Sequence, residues 1–443
     1  MITVVADEIE PWFKYIWEQF VRINSLDADY LLTAYFENNQ INSADLILEY
    51  GNRQRYPHSL FIPMRKEFKT DDYVWIQGDL PVYRSTVDED SNGNYDIFYN
   101  AFVHLSRLEE WEEEKAGRLT QSYSFKHLRK DKRIWEIPVV NYLFNELEEK
   151  IKAKCPAVSF GGREKPAIEF SHDVDYICKT AQLRFKQSAF HFFNSGKLLL
   201  RGEFWKSLSK FKSGFAFVFQ NSDYWRFDYW DELERRFNIK SVYYFFARSY
   251  GSGGIKQFFI DPSYDISKND RLKDKCRDLI SRGNRLGIHG SYLSSEDGSL
   301  FRREKEILEN AVGCKITKSR QHWLNYYEGK TPYILDSAGI EQDSTLGFND
   351  ISGFRSGIAS AYNPYDHMND KPFSHQEIPM VVMDSHLYDY SNGEDDMRWL
   401  FECFERVRKV EVSINWHQRV VSPDYGWHTE YERLVSKIKR TEQ

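Results

Sequence analysis

Two kinds of hydrophobic spacing divide the chain. In the first third helical spacing dominates. Ile9, Phe13, Ile16 and Phe20 recur every three or four residues between Glu8 and Ile23 and predict an amphipathic helix. Ile97 to Trp111 repeats the pattern. Pro138 to Lys154 predicts a third helix, with proline at its start and lysine toward its end. Asp88 to Asn94, rich in Asp, Ser, Asn and Gly, reads as a loop. Gly161-Gly162-Arg163 breaks the pattern. A boundary placed there separates a smaller N-terminal α/β domain, 1–160, from a second domain, 161–443.

From Pro166 onward short apolar runs alternate with helical patterns, which predicts a mainly parallel sheet or barrel. Strands are expected at 168–170, 241–246, 286–288 and 316–319, from Ile340, and at 377–383 and 410–415. Helices are marked by Trp230, Leu233 and Phe237, then by Leu272, Cys276, Leu279 and Ile280, closed by Gly283. Ser299 to Gly313 and Pro332 to Ala338 predict two more. Residues 182–220 interrupt the alternation. They are basic and aromatic, and predict a helical insertion.

Composition narrows the function classes. Hydrophobic residues at 41% and charged residues at 29% fit an ordinary globular protein with a large core. Aromatics reach 16%, and Trp and Tyr faces suit sugar rings as well as cores. A net charge of −7 with no basic domain argues against nucleic acid as a partner. Cys155, Cys178, Cys276, Cys314 and Cys403 are scattered and never in CxxC spacing, so they read as reduced packing residues of a cytosolic protein. The first residues carry no basic, apolar leader pattern, and no 18-residue apolar run predicts a membrane span. Lys197 to Arg201 is too short to span, yet its basic, aromatic surroundings suit peripheral contact with a membrane surface.

The chemistry centres on Ser171-His172-Asp173-Val174-Asp175-Tyr176, at the carboxyl end of the strand that begins at Ala167. Strand ends of α/β folds collect catalytic groups. Alternation puts Asp173 and Asp175 on one side, and paired carboxylates repel unless a cation or proton sits between them. The plainer alternative is a helix-capping Asp beside a chance neighbour. His172, His289, His322 and His417 all fall at predicted strand ends. Singly, each suits a hydrogen-bonded core histidine; four at equivalent places, with the Asp pair, favour a site.

Ser-His-Asp-Val-Asp, Gly-Ile-His-Gly-Ser-Tyr (287–292), Arg-Gln-His-Trp (320–323) and Asn-Trp-His-Gln (415–418) resemble, in order, the motifs of the polysaccharide deacetylase superfamily (NodB-like, carbohydrate esterase family 4). Ser106 to Glu110, Asp343 to Phe348, Gly353 to Gly357 and Glu377 to Met380 are similar to a divergent bacterial branch, found among surface-polysaccharide genes, with an extra N-terminal domain. The resemblance implies a distorted (β/α)7 barrel with one divalent metal. It also implies a cytosolic hydrolase that removes acetyl groups from an N-acetylated or O-acetylated sugar in cell-surface polysaccharide metabolism.

Position by position, Asp173 matches the catalytic base and Asp175 the metal carboxylate. His289 matches the first metal histidine, Arg320 the arginine that holds the base, and His417 the general acid. The family's second metal histidine is missing, because Leu293 stands in its place. His322 is expected to replace it, giving Asp175, His289 and His322 around an ion. Two nitrogens and one carboxylate suit Zn²⁺, with a fourth position left for water. Trp323, Trp416 and Tyr292 are candidates to stack on a sugar ring or to pack as walls. Asp343, Arg355 and Asp384 are candidates for the pocket rim or for loop-ordering salt bridges. Two other readings stay open: a deacetylase-like carbohydrate-binding protein without metal or turnover, and a hydrolase of another C–N bond.

Overall fold

Strand β1 (Ile2–Ala6) is buried at every position and forms the centre of a four-stranded parallel sheet. The computed structural model describes residues 1–35, 46–87, 94–119, 122–247, 260–390 and 397–441. The loop expected from Asp88 falls, at 88–93, outside the described residues. Strand β1 pairs in parallel with β2 (Tyr30–Ala34) and β3 (Leu46–Gly51), and β3 pairs with β4 (Leu60–Pro63). A strand covered on both faces needs no alternation, so a run such as Ile-Thr-Val-Val-Ala gives little periodic signal.

The predicted N-terminal helices form, with one difference. Helix α1 (Pro11–Asn24) starts with proline and buries Phe13, Ile16, Trp17 and Phe20. The single helix expected over 97–111 is two, α2 (Ile97–Leu105) and α3 (Leu108–Lys115). The chain turns at Arg107, whose φ of 56° ends the first helix. Its buried guanidinium donates to Glu110 at 2.7 and 3.2 Å. Periodicity cannot foresee a break made by a buried ion pair. Helix α4 (Val139–Lys154) follows as predicted.

The chain clusters into two compact units, Met1–Ile168 with Tyr326–Ser413, and Glu169–Asn325 with Ile414–Gln443. The first crossing, at Ile168–Glu169, comes shortly after the Gly161-Gly162-Arg163 break. The fold is mixed α/β, with an eight-stranded parallel half-barrel sheet of (β/α)-barrel type and an additional N-terminal α/β region.

In the second unit β5 (Ala167–Val174), β6 (Val242–Phe245), β7 (Arg285–Gly290) and β8 (Lys318–Gln321) lie side by side in parallel. Strand β5 runs farther than predicted, so Ser171 to Val174 belong to the strand itself. Helices α5 (Ala181–Leu200) and α6 (Phe204–Phe219) occupy the predicted insertion. Helices α7 (Phe227–Phe237), α8 (Asp270–Ser281) and α9 (Gly298–Val312) match their apolar stripes. In the first unit the strand expected over 377–383 is split into β9 (Gln376–Glu377) and β10 (Met380–Met383). Pro379 between them has no N–H for a ladder. Strand β11 (Glu411–Asn415) ends at Asn415, in the second unit.

Candidate metal and catalytic site

Strand β5 sorts its residues by alternation. Asp173 and Asp175 face one way and His172 the other. His172 Nδ1–H donates to the Trp416 carbonyl at 2.9 Å, its ring centroid lies 4.1 Å from that of Trp230, and its Nε2 is 3.3 Å from Glu234. This corrects the expectation that four strand-end histidines share a site: three do.

Those three surround Asp175. His289 closes β7, His322 follows β8, and His417 follows β11. Asp175 Oδ1 lies 3.3 Å from His289 Nε2 and 3.8 Å from His322 Nε2, and Oδ2 lies 3.5 Å from His417 Nε2. Among the described residues, Asp175, His289 and His322 each bring a ligand atom within 4.8 Å of the other two.

Each histidine of that trio is oriented from behind. His289 Nδ1–H donates to the Arg320 carbonyl at 2.9 Å, and His322 Nδ1–H donates to Asp261 at 2.9 Å. Both Nε2 atoms are thereby left to face the carboxylate, the arrangement that metal-binding histidines require. Asp175 Oδ1 and His289 Nε2 are buried without a hydrogen-bond partner of good geometry. Buried polar atoms without partners are costly, so the donor set fits a cation placed between them. Gly290 keeps β7 close to β8 here: a Cβ would lie 2.4 Å from Gln321 Oε1.

Asp173 is held separately. Arg320 donates to its Oδ1 at 3.0 Å and to Ser171 Oγ at 2.9 Å, and Asn415 Nδ2 donates to Oδ2 at 2.9 Å. Arg320 is fully buried, its guanidinium over the Tyr244 ring at 4.4 Å. Burial opposes a charge on Asp173, but Arg320 and then His289 hold its pKa below the usual carboxylate value. For Asp175, too, burial opposes ionisation, but Arg419 leads the groups that bring its pKa well down. Arg419 NH1 donates to Oδ2 at 2.6 Å, leaving Oδ1 for His289 and His322. Burial lowers the His322 pKa, which favours the neutral imidazole. Burial also disfavours a charge on His289, yet Asp173 and Asp175 lift its pKa above 6.5.

The remaining candidates divide. Trp323 is 46% exposed beside His322, and both Trp323 (φ 60°) and Leu324 (φ 51°) are left-handed. Two successive left-handed non-glycine residues store strain of a kind that clusters at functional sites. Tyr292 is half-buried, and its N–H donates to Asp261 at 2.9 Å. Trp416 is fully buried and donates its indole N–H to the Trp427 carbonyl at 2.7 Å, so no ring face is open.

Asp343, Arg355 and Asp384 are buried in the first unit. Arg355 donates to Glu110 at 2.6 and 3.2 Å. Asp343 lies by Glu377, whose pKa is raised first by burial and then by Asp343.

Sequence reasoning missed Asp261, Arg419 and Asn415. Arg419 and Asn415 stand two positions either side of His417, which is a signal of a kind. Asp261, in Ile260-Asp261-Pro262, carried none.

Residues 2–156 match the model of a family of unknown function (DUF7033). No curated protein matches the sequence. Among solved structures the chain is similar to a Mycobacterium smegmatis protein assigned as a polysaccharide deacetylase, at 14% identity and a TM-score of 0.36, covering 63% of this chain and 85% of that one. It is also similar to a Bordetella bronchiseptica protein assigned as a polysaccharide deacetylase involved in O-antigen biosynthesis, at 12% identity and a TM-score of 0.27, covering 63% and 85%. A third is a CE4-family pseudoenzyme from Bacillus anthracis, at 10% identity and a TM-score of 0.27, covering 63% of each chain.

Proposed function

We propose that this protein is a metal-dependent hydrolase of the polysaccharide deacetylase superfamily. It removes acetyl groups from an N-acetylated or O-acetylated sugar in cell-surface polysaccharide metabolism, in the cytoplasm. One observation carries the reading: Asp175 Oδ1, His289 Nε2 and His322 Nε2 converge beside an Asp173 that Arg320 holds ionised. Asp175, His289 and His322 would hold the ion, zinc by its donor preference. When bound, such an ion polarises an acyl carbonyl and makes water more acidic.

The chain's own residues do the rest. Asp173, fixed by Arg320 and Asn415, accepts the proton of the attacking water. His417, partly open to solvent, gives a proton to the departing amine or alcohol. Trp323 offers an exposed face on which a sugar ring can stack.

The test is metal content and acetate release from N-acetylated oligosaccharides, in wild type and in Asp175→Ala and His322→Ala variants. About one ion per chain, lost in both variants together with acetate release, is the expected result. Wild-type protein that stays free of metal after incubation with Zn²⁺ would overturn it.

A second reading, a deacetylase-like carbohydrate-binding protein without turnover, is favoured by Arg419. Its guanidinium already neutralises Asp175 at 2.6 Å without an ion. Oligosaccharide binding with no bound metal and no acetate released would select that reading.

A further inference from the structure

We propose that the hairpin of α5 and α6 docks this protein onto an anionic phospholipid bilayer. The hairpin is built inside out. Between its helices lie small and hydroxylated residues and one aromatic cluster, Phe192 against Phe211 and Phe215. Ser188 Oγ donates to the Gly214 carbonyl at 3.0 Å, Ser195 Oγ to the Ser207 carbonyl at 2.9 Å, and Ser207 Oγ to the Ser195 carbonyl at 2.8 Å. Gly214 admits the Phe192 ring, which a Cβ would meet at 2.7 Å. Many large apolar side chains face outward instead: Phe193, Leu199, Leu200, Phe204, Trp205 and Phe219 are all exposed, Leu200 at 91% and Trp205 at 79%.

A helix pair stabilised in water buries its apolar stripe. The reverse pattern, with small residues at the helix contact and large apolar residues outside, is that of helices solvated by hydrocarbon. It is also an apolar surface of the kind that marks interaction sites. No described helix is long and apolar enough to cross a membrane, so the hairpin meets one leaflet.

Charge selects the occupant. Between Ala181 and Gln220 there are seven Lys and Arg residues (Arg184, Lys186, Lys197, Arg201, Lys206, Lys210, Lys212) and one acid, Glu203. Seven minus one leaves +6 on a hairpin of a chain whose net charge is −7. At the tip Leu199, Leu200 and Trp205 sit among Lys197, Arg201 and Lys206, which is apolar anchors with cations at headgroup depth. A second copy of this chain would set two such basic hairpins against each other, which like-charge repulsion opposes.

The base of the hairpin is tied to the site. Leu183 and Phe217 pack with Tyr176, the residue after Asp175, and Lys186 Nζ donates to the Tyr176 hydroxyl at 3.1 Å. Resting on the hydrolase reading above, the acetylated sugar is then one carried by a membrane lipid. Docking itself does not depend on that reading.

The test is flotation of the full chain with vesicles rich in phosphatidylglycerol and, separately, with pure phosphatidylcholine vesicles. Wild type is expected to float with the anionic vesicles and much less with the neutral ones. Leu200→Glu with Trp205→Glu should cut binding roughly tenfold or more, since two exposed anchors are lost. Lys206→Glu, Lys210→Glu and Lys212→Glu together should abolish the preference for anionic vesicles. All five positions are on the hairpin, so far-UV circular dichroism and metal content should match wild type, which separates failure here from failure of the site. Wild type that does not float with anionic vesicles, or variants that float as well as wild type, would overturn the proposal. So would self-association in sedimentation velocity that the Leu200→Glu/Trp205→Glu variant abolishes, without vesicle binding by the wild type, because the hairpin would then be an interface between copies.

Discussion

His322 Nδ1 lies 2.9 Å from the carboxylate of Asp261, a residue 61 positions earlier in the chain. That contact decides which nitrogen His322 offers. With Nδ1–H donated to Asp261, Nε2 faces Asp175 and His289 with its lone pair free. The sequence departs from the deacetylase motif at Leu293, and in the proposed site His322 would supply the nitrogen that position lacks.

Asp261→Asn tests this support. The variant should stay folded, and its affinity for Zn²⁺ in calorimetric titration should fall by roughly 10–100-fold. His322→Ala should lose at least as much. Unchanged affinity in Asp261→Asn would show that the His322 ring is oriented by something else.

Arg320 and Asp173 form a fully buried pair, and removing one leaves the other charged without its ion-pair partner. Arg320→Met should cost about 3–5 kcal/mol in urea unfolding. Adding Asp173→Asn should restore much of that loss, and the double-mutant cycle gives the coupling directly. No recovery in the double variant would mean that Arg320 acts mainly through its packing on Tyr244.

His172 and Asp173 are chain neighbours with opposite tasks. His172→Gln should lower stability by about 1–3 kcal/mol through its buried hydrogen bond to Trp416, and leave metal content unchanged. Loss of metal with full stability would place His172 in the site after all.

A pH dependence follows from Glu304. Burial raises its pKa from 4.5 to about 8, partly offset by the Ser291 N–H that donates to it at 3.0 Å. Between those values the folded protein keeps a proton that the unfolded chain has released. Stability therefore falls as pH rises from about 4.5 to about 8. In Glu304→Gln, urea midpoints measured across this range should fall less steeply than in wild type. Parallel slopes in the two proteins would remove Glu304 as the cause.

Several features were written locally. A strand repeats every two residues, so the spacing of Asp173 and Asp175 was enough to place both carboxylates on one face. Periods of 3.6 gave helices α1, α4 and α7 to α9. Histidines just past short apolar runs gave three of the residues around Asp175, because a parallel sheet gathers its carboxyl ends at one rim. The basic, aromatic composition of 182–220 pointed to a separate helical element.

Other features came only with long-range register. Asp261 reaches His322, and Asn415 and Arg419 reach the carboxylate pair, from segments whose meeting no local period records. Trp416 follows Asn415 in the chain yet turns wholly inward, because tertiary packing decided which faces of that strand end stay open. Over 182–220 the basic, aromatic composition pointed to a helical insertion but not to two helices with Ser188, Ser195, Ser207 and Gly214 meeting between them. Secondary structure answers to interactions a few residues long, which a sequence displays directly. The partners of a buried charge, and the side of a helix that stays uncovered, are chosen by which segments the whole fold brings together.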